Sequence, residues 1–245
     1  MSEKRLYTQE SLTVGKRVTL SDDRARYIGR VLRLRPSGLL TLFDDSGSAY
    51  AATILSISRN SVDLEVERRL DTDVESPLDI QLLQGISRGE RMEFVIQKAT
   101  ELGVRRITPV ITEYGVVKLN AGRAIKKTAH WKGVAISACE QCGRNRIPTI
   151  DAPIPLRDWM GDNLQLDSTR LVMRPGATRS AHDIDIGARP LTLLIGPEGG
   201  FSDTECELTD ATGFEAIGFG PRILRTETAA VAIVAALQAI HGDCR

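Results

Sequence analysis

Leu193-Leu194-Ile195-Gly196-Pro197-Glu198-Gly199-Gly200-Phe201-Ser202 reads as a buried strand running into three glycines and then into a helix. Ser202 and Glu205 have capping-box spacing, which places the helix start just after the loop. Glycine lets backbone approach a ligand closely and adopt positive φ. In open α/β sheets, ligands bind at the carboxyl ends of strands. The stretch therefore fits a cofactor cradle, and it equally fits a tight strand-to-helix turn. It is neither a dinucleotide fingerprint nor a phosphate-binding P-loop, since it lacks Gly-x-Gly-x-x-Gly and Gly-Lys-Ser/Thr. Glu198 at a helix entrance opposes a phosphate there but can accept hydrogen bonds from an amino or hydroxyl group.

Two more loops of this kind lie nearby. Ile217-Gly218-Phe219-Gly220-Pro221-Arg222-Ile223-Leu224-Arg225-Thr226 follows a strand and leads into a helix, and Met173-Arg174-Pro175-Gly176 follows a short strand. Three glycine-bearing strand ends together would form one crevice. Outward from them, the rhythm from Leu78 on alternates strand and helix. Strands are expected at Ile80–Gln84, Val104–Ile111, Leu171–Met173, Leu191–Ile195 and Glu215–Phe219. Helices are expected at Arg88–Leu102, about Arg123–Cys142, Ser202–Thr212 and Thr226–Ile240. Alternation of this type implies a mostly parallel sheet covered on both faces, so the fold class is α/β.

The first seventy residues differ. Lys16–Leu20, Leu39–Phe43, Tyr50–Ile57 and Ser61–Val66 read as short strands with tight turns at Asp44–Gly47 and Arg59–Asn60, interrupted by one helix near Asp22–Arg30. That pattern suggests a small barrel. The acidic, polar stretch Asp71–Pro77 is the expected linker, giving domains 1–72 and 78–245.

Hydrophobic residues make up 42% of the chain and charged residues 26%, ordinary for a globular protein. Net charge is zero, yet it is unevenly spread. Residues 85–150 carry 12 Lys/Arg against 5 Asp/Glu, and residues 151–245 carry 8 against 14. Arg24, Arg26, Arg30, Arg33 and Arg35 fall in twelve residues with no acid among them. The cluster suits phosphate contacts, or a solvated basic face. The apolar run from Ala229 to Ile240 is shorter than the roughly 20 residues that span a bilayer, so no membrane partner is expected. Four cysteines make no disulfide framework, and with no signal-peptide pattern a cytoplasmic location is expected. Cys139 and Cys142 lack partners for a metal site and read as buried small residues, so no metal is expected. His130, His182 and His241 are scattered, Trp131 and Trp159 read as packing residues, and Glu101 reads as an anchor for its helix end.

Gly196–Gly200 followed by Gly220-Pro-Arg-Ile-Leu-Arg-Thr-Glu-Thr-Ala229 closely resembles the ribosomal RNA small subunit methyltransferase E family of the SPOUT superfamily. The resemblance extends to Ile96–Gly103, Glu140-Gln-Cys-Gly-Arg144 and Arg30-Val-Leu-Arg-Leu34, and departs at Tyr27, where the family usually has a His. It implies a C-terminal trefoil knot, rare because threading is normally avoided, behind a PUA-like RNA-binding barrel. It implies a homodimer, binding of S-adenosyl-L-methionine by the three loops, and methylation of N3 of a uridine in small-subunit ribosomal RNA, in an assembled or nearly assembled subunit. The cofactor residues it implies are Met173, Gly196, Pro197, Glu198, Gly199, Gly200, Ile217, Gly218, Phe219, Ile223 and Leu224. The developing uridine anion needs a fixed positive charge, for which Arg5, Arg144 and Arg225 are the candidates. Glu140 or Glu198 could take the N3 proton. The target base must be unpaired or extruded to be reached.

Overall fold

The computed structural model describes residues 4–117, 120–162, 167–187 and 189–244. The chain forms two compact units, one of Met1–Glu75 with Cys139–Ile147, the other of Ser76–Ala138 with Pro148–Arg245. Cys139–Ile147 thus belongs with the barrel, although it lies well inside the 78–245 range expected for the second domain. Side-chain bonds to Glu75, Arg5 and Asp45 hold it there, and no linear reading exposes such bonds.

In the first unit β1 (Arg5–Tyr7), β2 (Arg17–Ser21), β3 (Leu39–Phe43), β4 (Ala49–Ile57) and β5 (Ser61–Leu70) form one sheet in the order β1-β3-β4-β5-β2. β1 runs parallel to β3, and the other pairs are antiparallel. Alternation puts Val18, Leu20, Val62, Leu64 and Val66 inside with Leu6, Leu42 and Ile54. β1 has only three residues, with Leu6 its one buried position, so it offers no period to read. The turn after β3 is built by Asp44, whose Oδ1 accepts from the Ser46 N–H and hydroxyl, with Asp45 and Gly47 at positive φ. The expected helix is split. α1 (Asp22–Arg26) gives way to a wider π turn over Tyr27–Val31, and Arg33 at φ +52° turns the chain back.

In the second unit β6 (Ile80–Gly85), α2 (Glu90–Glu101), β7 (Arg106–Ile111), α3 (Ala121–Cys142), β8 (Thr149–Ile150), β9 (Ile154–Pro155), α4 (Leu156–Asp162), β10 (Thr169–Met173), β11 (Leu191–Ile195), α5 (Asp203–Ala211), β12 (Glu215–Ile217) and α6 (Thr226–His241) follow one another. The last turn of α3 is counted with the first unit. The strands pair in the order β12-β10-β11-β6-β7-β8, with β9 also on β7, and every pair is parallel. Central β11 is buried at all five positions, as a sheet covered on both faces requires. β8, β9 and α4 are too short or too irregular to announce themselves in sequence. α2 turns Met92, Val95, Ile96 and Ala99 inward, with Leu102 half-buried just past its end. It stops at Gly103, φ +82°, where a β-carbon would collide with Ser76. Trp131 and Trp159 are core residues, as read. So is Cys139, whose thiol burial pushes up to about 12.

Gly218, at the end of β12, is pressed against Ala177 and Arg179 of the connection that follows β10. The Gly218 N–H donates to the Arg179 carbonyl at 2.8 Å, and a β-carbon at Gly218 would overlap the Ala177 carbonyl. α6 then packs against the 3-10 turn Ala181–Asp183 of that connection and against α2. The knotted α/β domain is thus preceded in the chain by the PUA-like barrel.

Candidate functional site

Three strand ends meet at one cavity of about 740 Å³, within the range of small-molecule sites. Met173, Arg174, Pro175 and Gly176 line it after β10. Ile195, Gly196, Pro197, Glu198, Gly200 and Phe201 line it after β11, and Phe219, Gly220, Arg222–Glu227 and Ala229 after β12. The cradle is locally determined. Gly200 at φ +71° closes a turn by donating its N–H to the Pro197 carbonyl at 3.0 Å, and Ser202 caps α5 with the reciprocal bond from Glu205. Gly176 and Gly200 have positive φ and open space where a β-carbon would stand, so bare backbone faces the cavity. Gly199 is absent from the lining. A β-carbon there would lie 2.9 Å from Tyr114 Cβ and its carbonyl oxygen, so this glycine serves close packing of the loop on the 112–115 turn. Ile217, wholly buried in β12, and Gly218, pressed on Ala177, are also absent from the lining.

Thr226, the first residue of α6, ties two loops together. Its hydroxyl donates to the Gly196 carbonyl at 2.6 Å and accepts from Gln84 Nε2 at 2.9 Å. Arg91, reaching in from α2, pairs with Glu198 at 2.7 Å and lies 3.8 Å from Glu227. Burial pushes the Glu198 carboxyl up, but bonds from its own N–H, the Arg91 side chain and the Arg88 N–H outweigh it. The net pKa is lowered, so Glu198 stays an anion at neutral pH. Glu227 Oε2 is buried with no hydrogen-bond partner among the described residues. Arg91 and Glu227 were not singled out from sequence. Arg91 and Glu198 stand 107 residues apart, and only the fold joins them. Thr226 and Glu227 did lie inside the quoted motif, which was the available signal.

The RNA methyltransferase domain family matches residues 74–238, and the RNA methyltransferase PUA domain family matches residues 20–67. The chain is 38% identical over 239 residues to the ribosomal RNA small subunit methyltransferase E of Buchnera aphidicola from Schizaphis graminum, covering 98% of this chain and 97% of that protein. It belongs to the ribosomal RNA small subunit methyltransferase E family. Among solved structures it is similar to the Neisseria gonorrhoeae member of this family bound to S-adenosyl methionine. The TM-score there is 0.93, with 40% identity and full coverage of both chains. It is also similar to a putative methyltransferase of Legionella pneumophila in complex with the same cofactor, at TM-score 0.94 and 39% identity over 99% of this chain and 100% of that one.

Of the other candidate residues, Arg5, Glu140, Arg144 and the arginine cluster lie in the first unit. Arg5 donates to the carbonyl of Gly143 at 2.9 Å and to Asn145 Oδ1 at 2.6 Å, and stacks over the Phe43 ring. It thereby supplies a cation at the C-terminus of α3, where the helix dipole favours positive charge. Arg144, only 3% exposed, is held by Glu75 through Nε at 3.0 Å and a terminal nitrogen at 2.7 Å. Glu140 accepts from the Tyr7 N–H at 3.1 Å and from Arg24 at 2.6 Å. Each of the three therefore has a structural role within this unit. Of the arginine cluster, Arg24 is engaged by Glu140 and Arg26 by Asp23. Arg30, Arg33 and Arg35 are exposed, with no ion pair among the described residues. Arg225, in the second unit, is an exposed residue of the cavity.

Proposed function

We propose that this protein transfers a methyl group from S-adenosyl-L-methionine to N3 of a uridine in small-subunit ribosomal RNA. The observation that carries the reading is the single cavity built by three glycine-bearing strand ends, in a chain that belongs to this family. The lining fits the cofactor. Met173, Ile195, Phe201, Phe219 and Leu224 offer apolar walls for an adenine and a thioether, and the backbone at Gly176 and Gly200 is open to close approach. Glu198 and Glu227 supply anionic acceptors for amino or hydroxyl groups. The cofactor brings an already activated methyl on its sulfonium, so little covalent help is asked of the protein.

The chain's own contribution is then positioning and charge. As the uridine N3 gives up its proton, negative charge spreads over the base, and a fixed guanidinium stabilises it. Arg225 suits that role best, because Arg5 and Arg144 are occupied by carbonyl and carboxylate partners. Glu198, a stabilised carboxylate, is a poor proton acceptor and a good hydrogen-bond acceptor. The exposed Arg30, Arg33 and Arg35 would dock phosphates. The reading extends to a homodimer acting on an assembled or nearly assembled subunit.

The test is methyl transfer from labelled S-adenosyl-L-methionine to small subunits from cells lacking this protein, followed by mass mapping of the modified nucleotides. A 3-methyluridine is expected. A methyl group on another base overturns the uridine assignment, and no transfer to either subunits or free ribosomal RNA overturns the activity.

A further inference from the structure

Residues 114–139 contain no Asp or Glu, yet hold Lys118, Arg123, Lys126, Lys127, His130 and Lys132. On α3, Arg123, Lys126, Lys127 and His130 follow i, i+3, i+4, i+7 spacing, which lays them along one side of the helix. The inward side is already occupied, since Trp131, Ala135 and Ala138 are buried. Arg123, Lys126 and His130 are exposed. Lys127 lies 5.5 Å from the centre of the Trp131 ring. Among the described residues the one carboxylate paired with this stripe is Glu93, on His130 at 3.0 Å. The cations of α2, in the same unit, have carboxylate partners. Lys98 pairs with Glu101, and Arg91 with Glu198. Like charges at helical spacing repel, so a stripe left without counter-charges weakens its own helix and calls for an anionic partner.

We propose that the Arg123–Lys126–Lys127–His130 side of α3 is a docking surface for the phosphate backbone of the RNA substrate, additional to the arginines of the barrel. The proposal rests on the RNA-methylating activity proposed above. RNA fits better than a lipid surface, because membrane association needs a free apolar face, whereas on this helix Trp131, Ala135 and Ala138 are spent on the core and Ile125 is a lone exposed large apolar side chain among the described residues. Regularly spaced cations without apolar anchors position a polyanion without reading its sequence. Trp131, being buried, offers no stacking platform.

The experiment uses the full chain and an Arg123→Gln/Lys126→Gln variant, whose two side chains have no ion-pair partner among the described residues. Binding to a small-subunit ribosomal RNA transcript is measured over a range of salt concentrations. Unchanged melting and unchanged calorimetric S-adenosyl-L-methionine binding serve as folding controls. Loss of two phosphate contacts should flatten the log–log salt slope by about 1.4 to 1.8 and weaken binding on the order of 10-fold at low salt. An unchanged slope, with the parent still binding RNA, overturns the proposal. So does an unchanged slope accompanied by a lost dimer or by lost binding to anionic vesicles, either of which would assign the stripe to another partner. Failure of the parent to transfer methyl groups would count against the proposed activity, and it is read in a separate assay.

Discussion

Two pairs of arginines, one pair in each unit of this molecule, meet opposite surroundings. In the barrel unit, Arg144 is buried against Glu75, and Arg5 is held by the end of α3 and the Phe43 ring. In the knotted unit, Arg222 and Arg225 stand exposed at the cavity with no carboxylate paired to them among the described residues. A guanidinium wrapped in fixed partners is part of the architecture, and its charge is already spent. One left open retains its charge for a ligand. Residue type alone does not separate these roles. Partner geometry does.

The largest test of this contrast is Arg144→Ala. It would strip the Glu75 carboxylate, 11% exposed, of its guanidinium partner, leaving the Arg146 N–H still donating to it. Breaking one side of a buried pair costs roughly 3–5 kcal/mol, so denaturant melting should show a drop of that size. A loss below about 1 kcal/mol, the range of an exposed pair, would mean that Arg144 is not architectural. Arg225→Ala should behave inversely. Stability should move by less than about 0.5 kcal/mol, while single-turnover methyl transfer falls on the order of 10²-fold with cofactor affinity kept. Equal rates in parent and variant would remove Arg225 from the chemistry.

Between these extremes lies Thr226→Val, which keeps shape and removes the hydroxyl linking Gly196 to Gln84. Leaving buried groups short of a partner costs about 1–3 kcal/mol. The loop it releases lines the cavity, so weaker S-adenosyl-L-methionine binding should accompany the loss, as calorimetry would show. The smallest effect concerns Glu198. Its folded pKa lies below the ordinary value of 4.5. Its stabilisation is therefore fully present above that value and is lost as pH falls through the lower folded pKa. Glu198→Gln should leave stability at pH 3 closer to that of the parent than at pH 7. A constant difference at both pH values would show that the Arg91 and Arg88 bonds do not favour the charged form.

How much was legible in sequence follows the range of the forces involved. β3, β11 and α6 were readable because hydrophobic period, Gly-Pro turns and end residues are local. The Ser202–Glu205 box was readable for the same reason. β1 and β8 were not, since two or three residues carry no period and their existence depends on β3 and β7 offering an edge. The split after Arg26 escaped notice because α and π turns share the same residues and differ by one hydrogen-bond step.

The candidate site divides in the same way. The sequence by itself determined that three glycine-bearing strand ends exist, since glycine, proline and capping residues act within a few positions of one another. Tertiary structure alone decided that Gly199 packs on Tyr114 while Gly200 opens to the cavity, and that Arg91 meets Glu198. It likewise decided that Arg5 and Arg144 are spent on Gly143 and Glu75 while Arg225 is not. Hydrogen bonds and ion pairs act over a few ångströms, so partners 107 residues apart in the chain meet only once the fold has closed.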